Sequence, residues 1–264
     1  MTRTVLVVGA SGQIGGQLLR RFAAAGWRAV GTGLRHPGPD GITLDASDAD
    51  AVRRAAETVR PQLIVNSINA QGGTDACELD PSLARRSHFD TARHLVDAAR
   101  AVGAGLLQLS TDYVFDGREG PYAEEVPPAP LSHLGRAKLA AEAYALELGA
   151  GALIARTSFV YSWTPDSTTK NFVMQVLEAG QAGRTLRVPI DQAGNVTYAP
   201  NLADALVELV ELGAHGVYHV AGATRCSKYE WAMRVAEWFG LRRETIHGVT
   251  TAALGQAGPR PLAS

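Results

Sequence analysis

The stretch Thr4–Trp27, TVLVVGASGQIGGQLLRRFAAAGW, determines the fold that we expect for this chain. Its first part, Thr4–Val8, is a continuous apolar run, typical of a strand that is buried on both faces of a parallel sheet. A glycine-rich loop follows this run. Beyond the loop, apolar side chains recur at helical spacing at Ile14, Leu18, Leu19 and Phe22. The stretch therefore predicts a strand, a tight loop and a helix.

The glycine-rich loop indicates a dinucleotide-binding site. Because glycine has no Cβ, the backbone N–H groups of such a loop and the N-terminus of the following helix can approach a pyrophosphate. The spacing is G-x-x-G-x-x-G rather than G-x-G-x-x-G, but the strand before it and the helix after it supply the required context. The loop residues that we assign to cofactor binding are Gly9, Ser11, Gly12, Gln13, Ile14 and Gly15.

The end of the second predicted strand, Arg28–Thr32, favours NADP(H) over NAD(H). An Asp or Glu about 20 residues beyond the glycines would hydrogen-bond the ribose 2′-hydroxyl of NAD. Residues 31–36 contain no carboxylate, and they include Arg35, whose guanidinium can pair bidentately with a 2′-phosphate. The alternative interpretation of Arg35 is a solvated loop charge. We also assign Asp45, at the end of a short third strand, to the cofactor site.

The composition is that of a globular protein without a strongly charged partner. The chain has 264 residues, of which 46% are hydrophobic and 19% charged, with a formal net charge of −1. This balance gives no basic field, so we expect neither nucleic acid nor a membrane as a partner. No apolar run reaches the roughly 18 residues of a membrane span and no signal-peptide pattern is present, which favours the cytoplasm. Cys77 and Cys226 are isolated, which predicts free thiols and no metal site.

Strands and helices alternate along the first part of the chain. Ser47 is expected to cap a helix that runs to about Val59. The elements after it are the strand Gln62–Ile68, a helix from Asp80-Pro81 to about Val102, and the strand Gly105–Ser110. This alternation predicts an α/β fold with a doubly wound parallel sheet. We expect a dinucleotide-binding domain over 1–160 and a mainly substrate-binding lobe over 161–264, with segments around 201–222 returning to the sheet.

Several strings that span nearly the whole chain carry a family resemblance. The most specific is Ser110–Gly117, STDYVFDG. The others are Gly9–Gly15, the helix that ends at Lys138, Arg156–Tyr161, Asp191-Gln192, Tyr218-His219 and Arg260-Pro261. Together they resemble the extended short-chain dehydrogenase/reductases, and within them the dTDP-4-dehydrorhamnose reductase branch, which also contains the regulatory beta subunit of methionine adenosyltransferase. The resemblance implies a Rossmann fold with a smaller C-terminal substrate lobe.

The resemblance also implies a catalytic site with one departure. In the family, a Ser/Thr and a Tyr-x-x-x-Lys pair carry the chemistry: the tyrosine protonates the alkoxide formed by hydride transfer to a sugar carbonyl, and the lysine lowers the pKa of the tyrosine and holds the nicotinamide ribose. Thr111 matches the hydroxyl position, Lys138 the lysine, and Leu134 stands at the tyrosine position. Residues i and i+4 share a helix face, so Leu134 is expected beside the Lys138 ammonium. General acid–base groups contribute about 10²–10⁴-fold, so we expect cofactor binding to survive and efficient reduction by the standard route to be lost.

Tyr113 and His88 are the candidates for a substitute proton donor. Tyr113 lies just after Thr111 at the ligand edge of the sheet, although the resemblance implies substrate contact as its usual role. His88 stands where the superfamily commonly has an asparagine, and it can act with Thr111 if its helix approaches the nicotinamide. An imidazole near its ordinary pKa is a competent donor at neutral pH. A structural histidine is the alternative interpretation of His88.

Three further side chains are candidates for the same site. His133 is adjacent to Leu134 in sequence but about 100° away around the helix axis, so we expect it to point elsewhere. Tyr161 and Tyr198 either line the substrate side or are packed aromatics.

Three functions stay open, because a fold alone does not choose among them. The favoured one is an NADP(H)-binding reductase of a nucleotide-linked 4-keto-deoxysugar or a related keto compound, with an atypical site. The second is a non-catalytic dinucleotide-binding regulatory or scaffold subunit, and the third an enzyme with non-redox chemistry. A homodimer or a regulatory protein partner is compatible with each. Relatives in the branch continue beyond the segment Arg260–Ser264, so we expect either a trimmed C-terminus or a short member.

Overall fold

The computed structural model describes residues 2–35, 37, 41–163 and 171–264. The strands, in chain order, are β1 (Thr4–Val8), β2 (Arg28–Gly33), β3 (Ile42–Thr43), β4 (Leu63–Asn66), β5 (Gly105–Thr111), β6 (Ala152–Thr157), β7 (Val160–Tyr161), β8 (Leu186–Pro189), β9 (Ala193–Asn195), β10 (Thr197–Tyr198), β11 (Gly216–His219), β12 (Arg225–Ser227) and β13 (Ile246–Val249). The helices are α1 (Gly15–Ala24), α2 (Ala49–Val59), α3 (Gly73–Leu79), α4 (Pro81–Ala84), α5 (Thr91–Val102), α6 (His133–Leu146), α7 (Phe172–Gln181), α8 (Ala199–Glu211), α9 (Lys228–Trp238) and α10 (Thr251–Leu254).

The central sheet has seven strands in the order β11-β6-β5-β4-β1-β2-β3. Each neighbouring pair in it is parallel. The chain winds outward from β1 in one direction through β2 and β3, and then from β4 in the other. The doubly wound parallel sheet predicted from the sequence is therefore confirmed. In such a sheet the ligand crevice opens at the carboxyl ends of the strands where the winding reverses, here β1 and β4.

Apolar side chains cover both faces of this sheet. On one face, α1 and α8 pack together and bury Leu18, Phe22 and Leu206 completely. On the other face, α2 and α5 bury Val52 and Leu95. The strands β1 and β4 are consequently buried along their full length, which explains their continuous apolar sequence.

A smaller lobe stands over the carboxyl edge of the sheet. Its core lies between α7 and α9, and includes Val176, Trp231 and Val235. Short strand pairs, β7 with β10, β9 with β12 and β8 with β13, frame this core. The intervening α8 and β11 lie in the sheet layer, because Gly216 of β11 pairs with Leu153 of β6. The domain limits at 160 and 161 stay a prediction. None of the helices in the described ranges is long and apolar enough to cross a membrane.

Two local expectations need correction. Ser47 does not cap α2: the Asp48 carboxylate accepts hydrogen bonds from the backbone N–H groups of Asp50 and Ala51, while the Ser47 hydroxyl donates to Asp45. Both residue types are good caps, so sequence alone does not choose between neighbours. The helix predicted from Asp80-Pro81 to Val102 is present, but it contains a π-helical segment, Arg85–Asp90.

Two glycines let the first loop fold against the crevice. Gly9 has a φ of +87°, a region in which residues with a Cβ are strained. Gly15 lies so close to the loop that a Cβ there would stand 2.2 Å from the Gly9 carbonyl oxygen and 2.5 Å from Ser67 Oγ. The start of α1 is thereby held against the ends of both β1 and β4.

Replacing Gly15 by alanine tests this close approach. The added methyl meets backbone rather than a movable side-chain end, so Gly15→Ala is expected to lower the free energy of unfolding by about 1–3 kcal/mol. Urea unfolding measures the change. The matched control is Gly151→Ala, where the nearest atom to an added Cβ is 3.7 Å away; its change should stay within about 1 kcal/mol. Equal stabilities of the two variants would contradict the argument.

Candidate functional site

The loop between β1 and α1 has the properties of a phosphate cradle. Gly12 N donates to the Gly9 carbonyl at 2.9 Å, which closes a tight turn. The cap position of α1, Ile14, makes no side-chain hydrogen bond to the first N–H groups of the helix. Ser11 and Gly12 are exposed, and the buried Nε2 of Gln13 has no hydrogen-bond partner among the described residues. Free N–H groups and an unpartnered buried amide fit a bound dinucleotide pyrophosphate.

The residues predicted to select the cofactor lie at the ends of β2 and β3. Arg35 is exposed just beyond β2. The Thr32 hydroxyl, near the end of β2, is buried and has no partner in the described part of the chain. The Asp45 carboxylate accepts from the N–H and hydroxyl of Ser47, and these bonds lower its pKa. The roles of Arg35 and Asp45 toward a nucleotide stay predictions.

Lys138 is an ammonium group inside the protein, 6% exposed. Its Nζ donates to the Leu109 carbonyl of β5 at 3.1 Å and to the Ile68 carbonyl, just after β4, at 3.4 Å. Burial lowers the pKa of Lys138 to about 8, and the Glu142 carboxylate one helical turn further along opposes this shift. The lysine is thus placed at the carboxyl ends of β4 and β5, close to where β5 reaches Thr111.

Leu134 precedes Lys138 by one helical turn and is itself buried. Its side chain packs in a small apolar cluster with Ala70, Cys77 and Ala84, against which the Tyr113 ring also packs. Within this cluster Leu134 offers no proton. That it takes the place of a catalytic tyrosine stays a prediction from the resemblance.

His88 does not meet the condition that would make it a proton donor. It lies in the π-helical segment, which packs against α6, and it is 1% exposed. Both ring nitrogens lack a hydrogen-bond partner in the described structure. Burial lowers the pKa of His88 to about 2, with a further contribution from the Lys138 ammonium. The imidazole is therefore neutral at pH 7, contrary to the near-ordinary pKa that the sequence-based proposal requires.

Thr111 and Asp112 form a hydrogen-bonded pair at the end of β5. The Thr111 hydroxyl donates to Asp112 Oδ1 at 3.0 Å and accepts from the N–H of Tyr113. The other carboxylate oxygen of Asp112 accepts from the Ser264 hydroxyl. Burial raises the pKa of Asp112. The sequence pattern indicates a role for Thr111 but not for Asp112, although both belong to the string Ser110–Gly117.

Tyr113 follows β5, and its surroundings set its acidity. Burial raises the pKa of Tyr113 to about 12, although Arg260 and Thr74 favour the ionised form. Arg260 is held by Asp75 of α3, with Nη1 and Nη2 at 2.6 and 2.8 Å from the two carboxylate oxygens. The Tyr113 ring packs against the apolar cluster that contains Leu134.

A buried ion pair connects α6 to β6 beneath the site. Arg156 Nη2 donates to Glu142 Oε2 at 2.7 Å, and the two side chains are 6% and 2% exposed. The Ser110 hydroxyl donates to the same carboxylate. Sequence analysis missed this pair; the signals available were a charged residue in an apolar strand and a carboxylate four residues after Lys138. Breaking such a pair leaves a buried charge uncompensated, at a cost of about 3–5 kcal/mol.

A cavity of about 360 Å³ opens beside this pair, between the ends of β5, β6 and β11. Among its lining residues are Asp112, Tyr122, Arg156, Asn195 and His219. Thr157 also lines it, and the Thr157 hydroxyl is buried without a described partner. Because Asp112 lines this cavity, the cavity gives water a route to its carboxyl group.

The remaining candidates lie away from Lys138. The backbone N–H of His133 donates to the Glu78 carboxylate of α3 at 3.1 Å. The Nε2 atom of the His133 ring lies 3.9 Å from Oε1 of the same carboxylate. Tyr161 and Tyr198 pack with their ring centroids 5.4 Å apart, and Tyr161 also packs on Trp231. No group of three or more His, Cys, Asp or Glu side chains suited to a metal occurs in the described ranges.

Comparison with known proteins adds four findings. Residues 3–264 match the family model described as RmlD substrate binding domain. The chain is 35% identical over 266 residues to dTDP-4-dehydrorhamnose reductase of Streptomyces griseus, covering 97% of this chain and 83% of that protein. It is 30% identical over 264 residues to methionine adenosyltransferase 2 subunit beta of Pongo abelii, covering 98% and 79%. The solved dTDP-4-dehydrorhamnose reductase from Bacillus anthracis str. Ames in complex with NADP gives a TM-score of 0.89 at 29% identity, covering 100% of this chain and 89% of that one.

The buried ammonium of Lys138 predicts a pH-dependent change in stability. The pKa of Lys138 is about 8 in the folded chain, below the value of about 10.4 for an unfolded lysine. The charged form is therefore disfavoured by folding, and Lys138→Met should raise the free energy of unfolding at pH 7 by about 1–3 kcal/mol. This gain should shrink as the pH rises from about 8 to about 10.5, because the wild type then loses the charge itself.

Urea unfolding at pH 7 and pH 9.5 measures this effect. Arg136→Met is the control, because Arg136 is exposed on the same helix and should give no pH-dependent gain. A Lys138→Met variant that is less stable than the wild type by the same amount at both pH values would contradict the argument.

Proposed function

Because the chain belongs to the RmlD substrate-binding-domain family, we propose that it binds NADP(H) and reduces the keto group of a nucleotide-linked 4-keto-deoxysugar or a related keto compound. Its matches include sugar-nucleotide reductases, one of them solved with NADP. In this proposal Leu134 stands where the tyrosine of those enzymes is expected. The reaction therefore proceeds in an atypical site.

The buried Lys138 ammonium carries this proposal. An unneutralised charge in the interior is costly, and an apolar side chain would serve packing better at the same place on α6. The ammonium is held by the Ile68 carbonyl just after β4 and by the Leu109 carbonyl of β5, the strand that ends at Thr111. Such placement suits a group that holds a cofactor ribose and acts on a substrate there.

In this proposal, each part of the site has its own role. The loop Gly9–Gly15 holds the pyrophosphate, Arg35 pairs with the 2′-phosphate, and Lys138 donates to the nicotinamide ribose. When bound, the dihydronicotinamide supplies a hydride. Thr111 orients and polarises the substrate carbonyl by a hydrogen bond to its oxygen, which favours the developing negative charge.

A second function is favoured by a different observation. The apolar packing of Leu134 with Cys77 and Ala84 leaves no proton donor at that point of α6, and the chain resembles a protein named as a subunit of methionine adenosyltransferase over most of its length. A dinucleotide-binding regulatory subunit with a protein partner would need the loop but not the donor.

Oxidation of NADPH with a panel of dTDP-4-keto sugars tests the proposal. The wild type should give slow but steady turnover, and Leu134→Tyr should raise kcat, up to the 10²–10⁴-fold that a general acid typically contributes. Leu134→Phe is the matched control, because it adds the ring without the hydroxyl and should not raise kcat.

Other outcomes would contradict the reductase function. Turnover by Leu134→Tyr alone, with an inert wild type, would show that the chain itself is not a reductase. If neither form turns over, although both bind NADPH and the protein co-purifies with a partner, the regulatory function is the better account.

A further inference from the structure

The hydrogen bond between Thr111 and Asp112 joins the hydroxyl that the proposed function assigns to the substrate to a largely enclosed carboxyl group. Its two oxygen atoms are 3.0 Å apart. In the structure Thr111 is the donor of this bond. When Asp112 is neutral the bond can reverse, so that the Asp112 O–H donates to Thr111 Oγ1 and the Thr111 proton is free to be donated elsewhere. The partners of Asp112 in the described structure are hydroxyl groups, those of Thr111 and Ser264. Among the residues that the structure describes, no cation bonds the Asp112 carboxylate directly.

Lys228, the first residue of α9, is the cation that stands nearby without a hydrogen bond to Asp112. Its Nζ lies 5.2 Å from the ring centroid of Phe159. Its charge acts against the rise that burial causes in the pKa of Asp112. Lys228 therefore does not neutralise Asp112 permanently, but it stabilises the carboxylate once a proton has left.

We propose that Asp112, acting through the Thr111 hydroxyl, supplies the proton that a tyrosine at position 134 would otherwise deliver. The inference rests on the proposed reductase function. In it Thr111 is the catalytic residue, because it touches the substrate oxygen, and Asp112 is a positioning residue that acts through Thr111.

The proton transfers balance as follows. The substrate carbonyl carbon accepts a hydride, with its electron pair, from the dihydronicotinamide, and the C=O π bond becomes a lone pair on oxygen. The O–H bond of Thr111 breaks as its proton joins that oxygen, and the O–H bond of Asp112 breaks as its proton joins Thr111. The products are an alcohol, an oxidised nicotinamide, an unchanged threonine and the Asp112 carboxylate. Water in the cavity that Asp112 lines returns the proton from solvent.

The other candidate donors are less suited to this step. His88 is neutral, with a pKa lowered to about 2 by burial. Burial raises the pKa of Tyr113 to about 12, which makes its hydroxyl a weak acid. The Lys138 ammonium already donates to two backbone carbonyls. Burial instead raises the pKa of Asp112, which favours the protonated form that a donor requires.

Asp112→Asn is the decisive variant, because the amide keeps a hydrogen bond to Thr111 but has no acidic proton to give. We expect it to lower kcat of the wild type by about 100-fold or more while leaving the NADPH dissociation constant unchanged. The same substitution in the Leu134→Tyr background should cost little, because the tyrosine then supplies the proton. Asp116→Asn is the control in the same loop, since Asp116 bonds to Tyr122 and Arg118 and not to Thr111.

Two readouts separate a proton-transfer role from a structural one. The kcat of the wild type should fall as the pH rises through the pKa of Asp112. This fall in kcat should be absent from the pH profile of Asp112→Asn. In the described part of the chain, Lys228 and Tyr113 interact electrostatically with Asp112, and Arg156 and His219 line the same cavity. Lys228→Met removes a nearby cation and should move the fall in kcat to higher pH. Difference infrared spectra should show a protonated carboxyl at neutral pH in the wild type and in Asp116→Asn, and none in Asp112→Asn.

Three results would overturn the inference. They are an unchanged kcat in Asp112→Asn, an equal loss in the wild-type and Leu134→Tyr backgrounds, and no protonated carboxyl in the infrared difference. If the wild type binds NADPH but gives no turnover, the proposed function fails and the relay fails with it. An active wild type with an active Asp112→Asn variant removes the relay alone.

Discussion

The Lys138 ammonium lies inside the protein, and the arrangement of the candidate site depends on it. Two backbone carbonyls at the ends of β4 and β5 hold it, which fixes the face of α6 that is turned toward the sheet. One turn later Glu142 faces the same layer and binds Arg156 of β6. A row of buried charges thus ties α6 to three neighbouring strands. Charges in the interior need partners in good geometry, so this row limits how α6 can pack.

Holding a dinucleotide and using it rest on different parts of the fold. The features suited to holding it lie in the loop after β1 and at the end of β2, and they follow from missing Cβ atoms and free N–H groups. The groups suited to chemistry lie on β5 and α6. A side chain on α6 can therefore differ without any change in the loop geometry. This separation is in keeping with a chain that matches both a dTDP-4-dehydrorhamnose reductase and a methionine adenosyltransferase subunit.

Sequence reasoning succeeded where the determining interactions are local. The apolar run of β1, the glycine loop and the helical spacing in α1 predict the start of the fold, and the i, i+4 relation places Leu134 and Lys138 on one face of α6. Sequence patterns did not predict the properties that depend on the surroundings of a side chain in the folded protein. The pKa of His88 depends on how deeply the π-helical segment packs against α6, which no local pattern encodes. The pairing of Glu142 with Arg156 likewise depends on how α6 packs against β6 in space. The bond between Asp112 and Ser264 depends on where the end of the described chain lies relative to β5.

Titration of the protein with NADPH and with NADH tests the central claim most directly, because the claim is that the cofactor site is retained although Leu134 stands at the donor position. We expect NADPH to bind about tenfold or more tightly than NADH, a difference of about 1.4 kcal/mol. Arg35→Ser should remove the preference, while Arg28→Ser, an exposed control at the start of β2, should keep it. Failure to bind either dinucleotide, or equal binding of both by the wild type, would contradict the account.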